Sequence, residues 1–266
     1  KRKDKERKEL RILVGYNIVR LSQLEGISKG GYKEHILPKI LEIILMYKEP
    51  LAQQYLFEVI IQVFPDEFHL HTLKVLLESF SKVCPKVDIT AILAALMERL
   101  GNYVAGQREG LTEGSNSKKE NRIIAEMFDI LGASINEIAS TTTLLTGAAF
   151  VEAQVALMKL AIKTYPEEYE RVDLVLGSIT EHFSNSALDD DSIKALSRAL
   201  KFLMDEFKNP NILLDLQNYD GIIETLPFRP RRDVAAALCS TIVDTGITVN
   251  TLERVAKLFE IIAPMI

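Results

Sequence analysis

Cysteine is scarce. Cys84 and Cys239 are the only two in 266 residues, and they lie far apart with no pairing pattern. That excludes a disulfide framework and fits a reducing, cytosolic compartment. No apolar run approaches the roughly 20 residues needed to cross a bilayer, and no signal-peptide pattern is present. An excess of positive charge is lacking too. The formal net charge is −5, the wrong sign for a nucleic-acid footprint. The chain also has no G-x-S-x-G elbow, no Walker loop and no G-x-G-x-x-G between a strand and a helix. Its four histidines, His35, His69, His71 and His182, form neither H-x-x-x-H nor H-E-x-x-H, and neither cysteine has a nearby ligand partner. No catalytic residue, metal or cofactor is expected.

What is present is apolar material in helical periods. The composition is 47% hydrophobic and 26% charged, enough for a packed core. No stretch sustains a strand-like alternation. Leu10, Val14, Ile18 and Leu21 form one stripe of a first helix, with Leu13 and Leu24 beside it, and Gly26, Gly30 and Gly31 are expected to end it. A second helix from about Tyr32 to Tyr47 should kink or restart at Pro38. "LAQQYLFEVIIQVF" (51–64) is apolar on nearly every side, as in a helix buried between neighbours. Further helices are predicted over 66–82, 88–104, 121–139, 144–164, 167–184, 190–207, 230–245 and 250–263. Asp189, Asp190 and Asp191 should cap the 190–207 helix. The polar, glycine-rich stretch 105–121 reads as a loop, with 105–120 the most mobile part of the chain.

The helices repeat. Shifting the sequence by 101 residues lays "LAQQYLFEVIIQVFPDEF" over "EAQVALMKLAIKTYPEEY". Ala52, Gln53, Leu56 and Ile61 meet Ala153, Gln154, Leu157 and Ile162, and the corner Phe64-Pro65-Asp66-Glu67-Phe68 meets Tyr165-Pro166-Glu167-Glu168-Tyr169. Two copies of a helix–corner–helix unit predict an all-α, HEAT-like solenoid of stacked antiparallel hairpins, curved and right-handed. Residues 1–266 are then one continuous segment.

The first corner carries the densest titratable cluster, with Asp66, Glu67, His69 and His71 inside "QVFPDEFHLHTL". A proline at the helix start, acids over the positive end of its dipole and flanking aromatics are architectural features. The second corner keeps them without either histidine. His69 and His71 sit about 200° apart around a helix and cannot share a metal. The pair Pro65 and Pro166 should therefore open matching helices, with Leu56, Ile60, Ile61, Leu157, Ala161 and Ile162 buried. Glu167, Glu168 and Asp189–Asp191 belong to helix starts, and Cys84 and Cys239 read as small hydrophobes. In residues 1–11 the bases interleave with Asp4, Glu6 and Glu9 like a solvated helix. In "RPRR" (229–232) cations oppose a helix dipole, which leaves an acidic partner or anionic lipid open.

"KERKELRILVGYNIVRLSQLEG", "LAQQYLFEVIIQVFPDEFHLHTL" and "ILAALMERLGNYV" (92–104) resemble the vacuolar protein sorting 35 family, the large α-solenoid subunit of retromer. "VEAQVALMKLAIKTYPEEYERVDLVL" (151–176) resembles it more weakly, and the last ninety residues do so mainly in helical layout. The resemblance implies a non-catalytic coat scaffold on the cytosolic face of endosomes that returns transmembrane cargo to the Golgi or cell surface. It implies an arrestin-like partner, a metallophosphatase-like partner and sorting nexins for the full-length protein. The family's "PRLYL" motif is absent, so no partner-binding residue is transferred. A start without methionine and an end inside "FEIIAPMI" fit a middle segment of a longer chain, one expected to self-associate through its ends. Another helical-repeat adaptor, or a helical hydrolase fragment, stays open from the residues alone.

Overall fold

The computed structural model describes residues 2–109, 118–184, 186 and 188–265. Their regular structure is all helix, with no strand among the described residues. They fall into two compact units, residues 1–145 and 146–266.

In the first unit α1 (Arg2–Ser22) packs on α4 (Pro50–Val63), which in turn meets α6 (Ile89–Glu109). A second row runs from α3 (Leu37–Met46) to α5 (Asp66–Phe80) and on to α7 (Lys118–Thr141). Helices therefore stack in two layers, which is the solenoid arrangement. Close packing of α1 on α4 depends on Gly15, because a Cβ there would lie 2.6 Å from the Tyr55 hydroxyl.

Gly30 and Gly31 do not end the first helix as expected. They open the second, in the short α2 (Lys29–Gly31), whose first turn is capped by the Ser28 hydroxyl at 3.0 Å from the Gly31 N–H. The helix then widens into a π turn over Tyr32–Ile36, where the Leu37 N–H donates to the Tyr32 carbonyl. Pro38 explains the widening: it has no N–H and its ring crowds the preceding turn. The stripe expected on α1 is covered only in part. Ile18 is buried, while Leu10, Leu13 and Leu24 are exposed.

The second unit repeats the scheme. α8 (Ala148–Thr164) packs on α9 (Tyr169–Ser184) and on α10 (Asp190–Phe207), and α13 (Phe228–Thr245) follows on α10. Asp189 caps α10 as predicted, its carboxylate accepting the Ser192 N–H at 2.8 Å. The Ser192 side chain first, and its N–H second, hold the Asp189 carboxyl below its usual range. The short helices α11 (Pro210–Asp215) and α12 (Tyr219–Glu224) were not anticipated, since six residues are too few to show a period. Asn218, at the head of α12, fastens to α9 through Asp173. Its N–H and side-chain amide both donate to that residue, at 2.8 and 3.1 Å. α14 (Leu252–Ile262) closes against α11 by a two-pronged Arg254–Asp215 contact at 2.7 and 2.6 Å.

The predicted loop over 105–121 is shorter than expected. Residues 105–109 finish α6 and those from Lys118 belong to α7, while 110–117 lie outside the described residues.

Candidate functional site

The candidate site is the corner between α4 and α5. It is built for packing. α4 ends at Val63, Phe64 and Pro65 turn the chain, and α5 begins at Asp66. Phe64 and Phe68 do clamp the turn, but through a third ring. Tyr32 of the π turn lies 4.6 Å from Phe64 and 5.1 Å from Phe68, centroid to centroid. Its buried phenol finds no hydrogen-bond partner, and burial raises its pKa.

The corner acids are both engaged. Asp66 pairs with Arg99 of α6 at 2.6 Å, and Glu67 with Lys29 of α2 at 2.8 Å. Arg99 also donates to the Ile61 carbonyl at the end of α4. One guanidinium thus serves the last turn of one helix and the first of the next. Carbonyls at a helix C-terminus need such donors, and acids suit a helix N-terminus.

His69 is 1% exposed, a core residue rather than a surface one. Its ring lies beside the carbonyls of Ile60, Ile61 and Phe64, and neither ring nitrogen has hydrogen-bond geometry. Burial, helped by the positive charge of Arg99, pushes its pKa down to about 4, against the opposing pull of those carbonyls. The imidazole is neutral near pH 7.

The two corners differ in length. Two residues separate α4 from α5, whereas four, Tyr165 to Glu168, separate α8 from α9. Pro166 therefore lies in a turn ahead of α9, not at its start, which corrects the expected match with Pro65. The first helices match in burial under the 101-residue shift: Gln53, Leu56 and Ile60 are buried, and so are Gln154, Leu157 and Ala161. Ile61 is buried but Ile162 is only half-buried, against expectation. The second helices need a shift of 103. His69, Thr72, Leu73, Leu76 and Phe80 then meet Val172, Val175, Leu176, Ile179 and Phe183, all of them buried. His69 stands where the second copy places a core valine.

Gln53 ties the corner to its neighbours. Its buried amide donates to the Ile44 carbonyl at 3.3 Å and accepts the Cys84 N–H at 2.7 Å. The end of α3 and the α5–α6 connection are thus fixed to α4. Gln154 occupies the equivalent buried place in the second unit.

The remaining candidates are dispersed. His35 is exposed in the π turn, His71 is half-buried, and His182 stacks on Phe150 at 4.0 Å. Cys84 and Cys239 are free thiols, both half-buried. Glu168 pairs with Arg171 at 2.7 Å, and the Arg171 guanidinium lies 4.0 Å from the Tyr165 ring. Among the described residues no three or more His, Cys, Asp or Glu side chains converge as metal ligands. In the basic opening segment Lys5 pairs with Glu9 at 3.7 Å, and Arg11 lies over Tyr55.

A family model described as vacuolar protein sorting-associated protein 35 matches residues 1–266. The chain belongs to this family. It is 37% identical over 262 residues to vacuolar protein sorting-associated protein 35C of Arabidopsis thaliana, covering 98% of the chain and 32% of the relative. It is 33% identical over 269 residues to vacuolar protein sorting-associated protein 35 of Dictyostelium discoideum, covering 100% of the chain and 33% of the relative. For the protein of the same name in Schizosaccharomyces pombe the figures are 28% over 300 residues, 100% and 36%. The chain spans about a third of the length of the curated relatives it matches. The resemblance read from the sequence and the family assignment agree, and so do the all-α fold and the stacked helices.

Proposed function

We infer that the chain serves as one continuous scaffold segment of the large retromer subunit, in endosomal sorting and retrieval of transmembrane cargo. The match of the family model to the whole chain carries this reading. Its architecture suits the role. Buried amides, aromatic clamps and ion pairs in the chain hold helices to helices, and the corner's titratable groups are spent on packing. The segment supplies rigidity and surface and performs no catalysis.

In the complete protein this segment lies between an arrestin-like subunit and a metallophosphatase-like subunit, with sorting nexins recruiting the assembly to the cytosolic face of endosomes. Membrane association is peripheral and goes through those partners. No helix among the described residues is long and apolar enough to cross a membrane.

The test is a chimera. The matching third of the fission-yeast relative is replaced by this chain, and retrieval of a vacuolar sorting receptor and co-purification of the two partner subunits are scored. Retrieval and co-purification support the scaffold reading. A stably expressed chimera that binds both subunits but leaves the receptor in the vacuole would sink it, as would one that binds neither.

A further inference from the structure

We propose that Phe228, Arg229 and Arg232, at the start of α13, form a docking patch for an acidic peptide segment. The proposal does not depend on the retromer assignment. Phe228 is 63% exposed, and Arg229 and Arg232 are both exposed. On a helix these three positions share an arc of about 100°. Residues three and four apart lie roughly 5–6 Å from one another. An aromatic ring and two cations therefore form one small triangle.

Neither guanidinium makes a hydrogen bond or ion pair with any described residue. Glu224 and Asp233 are the acids nearest in sequence, and neither is paired to them. Arg229 also stands in the first turn of a helix, where the dipole disfavours positive charge, and Arg232 follows just beyond it. Stability of the fold does not explain them. Arg231, between them, is used differently: it donates to the carbonyls of Glu224 and Leu226, the latter at 3.2 Å. That contact anchors the corner and holds the triangle in place.

The chemistry selects the occupant. Guanidinium forks recognise carboxylates two-pronged, and an exposed aromatic flanked by arginine is the usual composition of an interface anchor. Acids at alternate positions of an extended segment stand about 7 Å apart, which suits Arg229 and Arg232, and an apolar neighbour would cover Phe228. Anionic lipid fits less well, because segments held to such surfaces carry clusters of about four to eight bases.

The probe is a fluorescein-labelled peptide, GEDLEDLEDG, titrated with the whole chain at low salt and followed by fluorescence polarisation. Saturable binding is expected that weakens with added salt, with no binding of the lysine counterpart GKKLKKLKKG. R229E/R232E should lose roughly tenfold or more in affinity, and F228A roughly threefold. R229Q/R232Q, which removes both cations without adding repulsion toward the peptide, should show an intermediate loss. All these side chains are exposed, so circular dichroism and thermal melts should match the parent. Absence of peptide binding, or binding that survives R229Q/R232Q, overturns the proposal. So does preferential, arginine-dependent binding to phosphatidylserine vesicles in place of the peptide.

Discussion

Acidification should loosen the first corner through His69, and the size of the effect follows from its position. The imidazole is 1% exposed with a pKa near 4, against about 6.5 in an unfolded chain. Above pH 6.5 both states are neutral there and the group is silent. As pH falls below 6.5 the unfolded chain takes up a proton that the folded one refuses, so stability drops until about pH 4. Between about pH 7.5 and 5 the loss is about 2 kcal/mol. A difference between the parent and a variant without the imidazole isolates this contribution. His69→Val installs the residue that the second copy carries at this place. Urea unfolding by far-UV circular dichroism at both pH values should show the parent losing about 2 kcal/mol more than the variant on acidification. Parallel curves would refute the reasoning, since they would mean that His69 titrates alike in the folded and unfolded states.

Three further outcomes are expected. Ile61→Ala should cost about 2–5 kcal/mol in the same titration, while the half-buried Ile162→Ala should cost clearly less; equal losses would contradict the burial pattern. Arg99→Leu should cost about 1–3 kcal/mol, because it leaves the Asp66 carboxylate without its ion-pair partner and the Ile61 carbonyl without its donor. An unchanged melting temperature would show the clamp to be idle. Gly15→Val should drive a side chain into Tyr55 and detach α1, read as faster amide exchange across α1 with α5 unaffected.

Helices and their long-range repeat were legible because apolar residues recur at helical spacing and because buried glutamines and leucines return at one fixed interval. The second helix of the repeat was misread by two residues, since the extra turn at Pro166 and Glu167 leaves no hydrophobic signature. Under the ungapped shift Leu174 opposes the buried Leu73, yet Leu174 is 62% exposed. The burial of His69 was readable after all. With Leu73, Leu76 and Phe80 it falls at i, i+4, i+7 and i+11, a core stripe that its polarity disguised. Tyr32 and Arg99 were missed as parts of the corner because they arrive from other helices, and sequence distance hides such contacts.

Two-layer stacking also bears on how the chain is born. Within each unit the main packing partners stand no more than three elements apart, as with α1 on α4, α5 on α7 and α10 on α13. Topologies of that kind need little search, because short loops close early and cheaply. A nascent chain leaving the ribosome can seat each new helix on one completed at most three elements earlier, without waiting for its far end. Damage should be confined in the same way. A defect at one corner withholds a landing place from the next helix of its own layer, while hairpins already in place keep their neighbours.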